Sequence, residues 1–229
     1  MKKPEKPGKY GYLTSGDLPR YFHLENSGFE RRIIFSSQED YDRFEAYLYL
    51  LNAVESARAA NFFVGNRRDE IFSSARGERL IAIGAYSFLA REFHILATPL
   101  VENGISKFMQ KLQTAYTMYF NRKYQRSGRL FQASYQSREV AEQNVVRVFA
   151  EIHLNPAELF DTSWQSAGAA ELQLLTAKAL QYRYSSAGEF LARKYIIADP
   201  EPFPKKILQA RDADFYAHIW NRLKRDSAE

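Results

Sequence analysis

Apolar residues recur along this chain with two alternating periods, and each change of period marks a change of element. Tyr21-Phe22-His23-Leu24 reads as a short strand, Asn26-Ser27-Gly28 supplies turn chemistry, and Ile33-Ile34-Phe35 forms a second apolar stretch. Ser36 or Ser37 can then cap a helix over roughly residues 38–60. Its residues Tyr41, Phe44, Leu48 and Leu51 fall on one face, and Glu39, Asp40 and Asp42 occupy the first turn, where the helix dipole favours acids. Residues 61–79, polar and charged around Phe62, Phe63 and Phe72, read as an inserted loop with a short helix.

Leu80-Ile81-Ala82-Ile83-Gly84-Ala85-Tyr86 is a buried-strand run, and a second run over 93–97 follows a short polar turn, so the two predict an antiparallel pair. A helix over about 104–124 carries Ile105, Phe108, Met109, Leu112, Tyr116, Tyr119 and Phe120 on one stripe, with Lys107, Lys111 and Thr114 on another face. After a loop over 125–132 come a strand near 134–140 and a helix over roughly 141–153, whose Val145, Val148, Phe149 and Ile152 share a face. Asn155-Pro156 ends that helix, and the chain beyond 160 reads as mainly helical, broken by Pro200, Pro202 and Pro204. The order strand, helix, two strands, helix, strand, helix predicts an α+β fold, an antiparallel sheet with helices packed on it. Three segments are expected: a basic flexible stretch over 1–18, a sheet-and-helix domain over 19–158 and a helical C-terminal extension over 159–229.

Composition changes this picture little. With 45% hydrophobic and 26% charged residues, the chain has the balance of a packed protein and not of a disordered one. A net charge of +5 favours a polyanionic partner, provided the cations cluster. Absence of cysteine excludes disulfides, thiolate metal sites and cysteine nucleophiles. No apolar run reaches the roughly 18 residues of a membrane span, and the Lys- and Pro-rich start lacks a secretory apolar stretch, so a cytoplasmic protein with no membrane partner is expected.

The cations do cluster. In Asn121-Arg122-Lys123-Tyr124-Gln125-Arg126-Ser127-Gly128-Arg129-Leu130-Phe131-Gln132, cations, amides and aromatics surround a glycine. Arg and Lys neutralise phosphates and release counterions, Gln and Asn read base edges, and Tyr124 or Phe131 offers a face for an unstacked base. The competing reading is a solvated helix end whose cations complement the C-terminal dipole.

The run Gly104-Ile105-Ser106-Lys107-Phe108-Met109-Gln110-Lys111-Leu112, continuing through Tyr116-Thr117-Met118-Tyr119-Phe120-Asn121 to Arg126-Ser127-Gly128-Arg129-Leu130-Phe131-Gln132, resembles the central signature of the REP-associated tyrosine transposases and related single-tyrosine HUH (IS200-like) transposases. Ile152-His153-Leu154-Asn155-Pro156 and Tyr182-Arg183-Tyr184-Ser185-Ser186 resemble two later elements of that family, and the likeness runs in consistent order over roughly residues 20–195. It implies a ferredoxin- or RRM-like domain that recognises DNA hairpins. It also implies, for active relatives, a His-x-His strand that shares a divalent metal and a helix tyrosine that attacks a phosphodiester of single-stranded DNA.

This chain departs from the pattern at both decisive places. The first histidine position is Glu92, leaving His94, and the tyrosine position is Glu151. A carboxylate is a poor nucleophile toward a phosphodiester, and the mixed anhydride it would form hydrolyses instead of rejoining a strand. The catalytic positions Glu92, His94 and Glu151 are therefore expected to be degenerate. Glu92 and His94 with Glu151 and Asn155, the last two one helical turn apart, form a candidate Mg or Mn site. The competing readings are that Glu151 pairs with Arg147 and that His94 is a hydrogen-bonded strand histidine. His153 reads as structural, His23 as either a DNA contact or a core or edge residue, and Tyr135 as a stacking residue before a nucleophile.

The expectation is a protein that binds single-stranded or hairpin DNA through Lys107, Lys111, Arg122, Lys123, Arg126 and Arg129, with Gln125 and Gln132 as base contacts, and that does not cut it. A metal-dependent DNA endonuclease using Glu92, His94 and Glu151 is the chief rival, an RNA-binding or protein-interaction module the second. Relatives that dimerise make a homodimer conceivable.

Overall fold

The computed structural model of the chain describes residues 19–55 and 68–226; the basic stretch over 1–18, Phe62, Phe63 and the predicted end of the first helix lie outside them. The period-two segments pair into a four-stranded antiparallel sheet of β1 (Tyr21–Ser27), β2 (Ile81–Leu89), β3 (Glu92–Pro99) and β4 (Gln136–Val140), in the order β2-β3-β1-β4. Among the described residues seven α-helices accompany it: α1 (Gln38–Leu50), α2 (Arg68–Ser73), α3 (Gly104–Lys123), α4 (Val145–Leu154), α5 (Ala169–Leu180), α6 (Ala187–Ala192) and α7 (Ala213–Asp226). The succession β1-α1-β2-β3-α3-β4 with this strand order is the split βαβ arrangement, so the α+β expectation holds.

Strand alternation sends side chains to two separate cores. Leu24, Phe93, Ile95, Ala97, Ile83 and Phe88 face α1 and α3, where Phe44, Leu48, Phe108, Leu112 and Tyr116 meet them. Tyr21, Ala82, Ala85, Leu96 and Val140 face the other way, against Val148, Phe149 and Ile152 of α4 and residues of the C-terminal helices such as Leu172, Phe190 and Tyr216. The register of β2 shifts between Ile83 and Ala85, and Gly84 in the gap allows Phe203 to close in; a Cβ there would lie 2.7 Å from its ring. The outer edge of β2 is covered by 184–186, with Phe88 N–H donating to Tyr184 O (3.0 Å) and Ser186 N–H to Tyr86 O (2.9 Å).

Two boundaries differ from the hydrophobic pattern, and the apolar stretch Ile33-Ile34-Phe35 acts as a tether. Ile34 and Phe35 are buried, and their N–H groups both donate to Ala90 O, strapping the segment across the β2–β3 turn. Helix α1 ends at Leu50 because Asn52 is occupied elsewhere: its buried amide bonds both the N–H and the C=O of Ile81, acting as a side-chain neighbour to β2. Helix α4 starts at Val145, after a single 3-10 turn over Glu142–Asn144.

Two buried polar centres tie the layers together. Asp40, fully buried, accepts the N–H groups of Ser36 (2.8 Å) and Ser37 (2.9 Å), the hydroxyls of Tyr119 (2.9 Å) and Tyr124 (2.7 Å), and Lys123 Nζ (2.8 Å). Burial alone would raise its pKa, but the hydrogen bonds from Lys123, Tyr124, Tyr119 and Ser36 hold the carboxyl below the usual range. This centre fastens the end of α3 to the start of α1. On the other side of the sheet, His153 bridges Tyr216 Oη (2.8 Å) and Ser186 Oγ (2.6 Å). The row imitates a nucleophile, a base and an orienting group, yet all three are fully buried, and the arrangement is structural.

Replacing Asp40 with Ala removes the buried acceptor shared by Lys123, two tyrosine hydroxyls and two backbone N–H groups, leaving Lys123 with Glu39, Ser37 and Tyr119, and is expected to cost about 2–4 kcal/mol in urea unfolding. Burial lowers the pKa of His153 to about 3, so the unfolded chain takes up this proton first. The contribution of this group to stability then falls by about 1.4 kcal/mol per pH unit as pH drops from about 6.5 toward 3, and is constant above that window. His153→Gln is expected to give a shallower slope over that window, the remainder coming from His23 and the depressed carboxylates.

Candidate functional site

The β1–β3 ladder sets Glu25 opposite His94 and Ser27 opposite Glu92. Because period two carries His23 to the side of Glu25, and Glu92 to that of His94, the pairing assembles four groups on one sheet face. This is the face that carries Tyr21, Leu96 and Val140 further along, where α4 and the C-terminal helices cover it.

His94 lies at the centre. Its Nδ1 is 3.2 Å from Glu25 Oε2 and 3.1 Å from His23 Nε2, and its Nε2 is 3.1 Å from Glu92 Oε1. The two rings stack with centroids 5.2 Å apart. Asn155, at the end of α4, donates to Glu92 Oε1 at 3.3 Å, and Arg138 from β4 lies 3.2 Å from His23 Nδ1. On the far side β2 sets Ser87 opposite His94; its hydroxyl is buried and without a hydrogen-bond partner.

Electrostatics split the two histidines. Burial would favour neutral His94, but hydrogen bonds and charge from Glu25 and Glu92 push its pKa up to about 9. Burial, then the neighbouring His94 charge, lowers His23 to about 4, with Glu25 opposing and Arg138 adding to the shift. The hydrogen bond from His94 holds both Glu25 and Glu92 below the usual carboxylate range. At neutral pH the cluster is an imidazolium between two carboxylates, beside a neutral imidazole.

That arrangement also suits a metal ion. His23 Nε2, Glu25 Oε2 and His94 Nδ1 form a triangle with sides of 3.1, 3.2 and 3.8 Å. A point about 2.0 Å from all three exists, within the range of metal–imidazole and metal–carboxylate bonds. Glu92 on the other nitrogen of His94 is the outer partner that orients a ligating imidazole.

Of the expected ligands, Glu92, His94 and Asn155 come together, while Glu151 does not join the cluster; it accepts from Arg147 Nε at 2.7 Å, one turn earlier. His23 and Glu25 take the remaining places. Their His-x-Glu spacing on a strand mirrors Glu92-x-His94 and was the available signal, but only strand pairing reveals that the two pairs face each other.

The basic residues divide as well. Lys111 donates to Ala53 O (2.7 Å) and Val54 O (3.1 Å), and Lys123 belongs to the Asp40 centre, so both anchor the fold. Lys107 caps Glu102 O at 3.1 Å, Arg126 braces its loop through Asn121 Oδ1 and Arg129 O, and Gln132 Oε1 accepts Glu30 N–H at 2.9 Å. Arg122, Gln125 and Arg129 are exposed, with Arg129 3.9 Å above the Phe29 ring. Phe131 is a core residue and no stacking platform, Tyr124 is held by Asp40, and half-buried Tyr135 lies 3.3 Å from Ser106 Oγ.

No family model matches the chain, and no curated protein matches it. A solved structure of a REP-associated tyrosine transposase bound to a REP hairpin is similar to it, with a TM-score of 0.50 and 14% sequence identity, over 87% of this chain and 93% of that one. The antiparallel sheet with helices packed on it is therefore a fold that the chain shares with that transposase.

Proposed function

We propose that this protein binds single-stranded or hairpin-forming DNA and holds it without breaking it through a phosphotyrosine. The observation that carries this reading is the fold shared along most of the chain with a transposase bound to a hairpin. Exposed Arg122 and Arg129 give it a surface for phosphates. The position that the family resemblance gives to the nucleophile is Glu151, neutralised by Arg147, and this supports loss of tyrosine chemistry.

His23, Glu25 and His94 would hold a divalent ion, and two imidazoles suit Mn or another transition metal better than Mg. Bound there, such an ion would polarise a phosphate oxygen. For His23 to ligate through Nε2, its Nδ1 must carry the hydrogen, so exposed Arg138 has to turn away from it. This cluster favours a second reading, a metal-dependent endonuclease in which the ion activates water, with His23 and Glu25 taking the part expected of Glu151.

Fluorescence anisotropy with a labelled DNA hairpin is expected to show binding that Arg122→Gln with Arg129→Gln weakens about tenfold, with a salt slope smaller by roughly 1.5. Unchanged affinity in that pair would remove the surface. Incubation of hairpin DNA with protein and Mn is expected to leave strands intact and unlinked on a denaturing gel; cut strands without adduct favour the endonuclease, and a covalent adduct refutes the main reading. Mn titration followed by electron paramagnetic resonance is expected to show an ion that His23→Ala and Glu25→Ala release and Glu151→Ala retains. The reverse pattern would return the ion to the helix.

A further inference from the structure

Three segments far apart in sequence are sewn together at the end of the sheet that carries the His/Glu cluster. Gly28 N–H donates to Arg91 O (2.8 Å), Phe29 N–H to Leu130 O (2.9 Å) and Gln132 N–H to Ser27 O (2.8 Å). Gly28 also bridges Phe131, and Arg91 donates from its guanidinium to Arg31 O. Gly28 is required for this closure, since a Cβ there would lie 2.0 Å from Arg32 O, the backbone of the loop turning back on itself.

The loop so closed is strained. Glu30 and Arg31 both have left-handed backbones, with φ of 53° and 60°. Consecutive non-glycine residues in that region are disfavoured by contact between Cβ and the carbonyl oxygen, and persist only where the surroundings over-determine them. Here they do, through Gln132 Oε1 on Glu30 N–H and the Arg91 guanidinium on Arg31 O.

What the strain secures is a set of cations. Arg31, Arg91 and Arg129 are exposed and Arg32 half-buried, all carried by the three joined segments. Elsewhere the guanidiniums of Arg20, Arg79, Arg147 and Arg183 meet carboxylates at 2.6–2.9 Å. Among the described residues, none of the four rim arginines has a carboxylate within ion-pair distance. Like charges gathered on a rim with no carboxylate of the described residues at ion-pair distance raise the free energy of the unbound protein, and a polyanion relieves it. Arg91 directly precedes Glu92, so the rim borders the metal-binding candidate.

We infer that Arg31, Arg32 and Arg91, with Arg129, form a preorganised clamp for consecutive backbone phosphates of DNA, leading a strand past the His23–Glu25–His94 cluster. The inference rests on the DNA-binding reading above and adds residues to it that lie outside the 121–132 loop. It accounts for the loop strain and for the unpaired charge together, which a purely structural role for the 28–32 loop does not.

The test uses the full-length protein, a labelled DNA hairpin with a single-stranded flank, and an RNA of matched sequence. Arg31→Gln with Arg32→Gln is expected to weaken DNA binding about tenfold and lower the salt slope by roughly 1.5, while the melting temperature holds or rises as repulsion is relieved. Arg91→Gln provides a separate variant that leaves the 28–32 loop sequence intact, and is expected to lower affinity in the same direction. If both variants bind as the wild type does while Arg122→Gln, outside the clamp, binds weakly, the clamp is refuted and the DNA-binding reading stands. Failure of the wild type to bind DNA overturns both, as does tighter binding of the RNA. A fall in melting temperature without loss of affinity would make the rim structural and also refute the clamp.

Discussion

The antiparallel register that sets Glu25 against His94 is the constraint on which the rest of the site depends. A slip of one residue would turn His23 and Glu25 into the aromatic core occupied by Leu24 and Phe93, and bring those apolar side chains to the polar face. Both faces carry a packed core, so such a slip has a high cost in each direction. The register is thus set by apolar burial, and the polar cluster follows from it.

Within the cluster, partial burial makes the electrostatics consequential. Three convergent acceptor atoms must share a proton or a cation, because nitrogen and carboxylate lone pairs at 3.1–3.8 Å repel one another otherwise. The raised pKa of His94 and the lowered pKa of its neighbour describe the protonated solution to that problem. Helix α4 and the C-terminal helices bury the continuing face at Tyr21, Leu96 and Val140, which leaves the cluster half-buried at the uncovered end. His153, locked between Tyr216 and Ser186, is part of what keeps those helices in place.

Positive charge is distributed by the same logic of burial. Lys123 meets the buried Asp40 carboxylate and Lys111 the carbonyls of Ala53 and Val54, so both ammonium groups are held within the fold. Arg31, Arg91 and Arg129 instead occupy loops whose backbones satisfy one another, and their side chains are exposed. Connectivity, not local composition, separates the anchoring cations from the exposed ones.

The sequence by itself determined the elements and the fold class. Hydrophobic period marks β1, the β2–β3 pair, α3 and α4 closely, since each buries a face whose spacing is local. The Glu92-x-His94 pair and the basic 121–132 run were legible for the same reason. Only tertiary structure decided that Ile34 and Phe35 strap a turn, that Asn52 ends α1 on β2, and that His23 and Glu25 complete the cluster. Each of those outcomes depends on a contact between segments whose separation along the chain carries no periodic trace, so no local pattern could announce it.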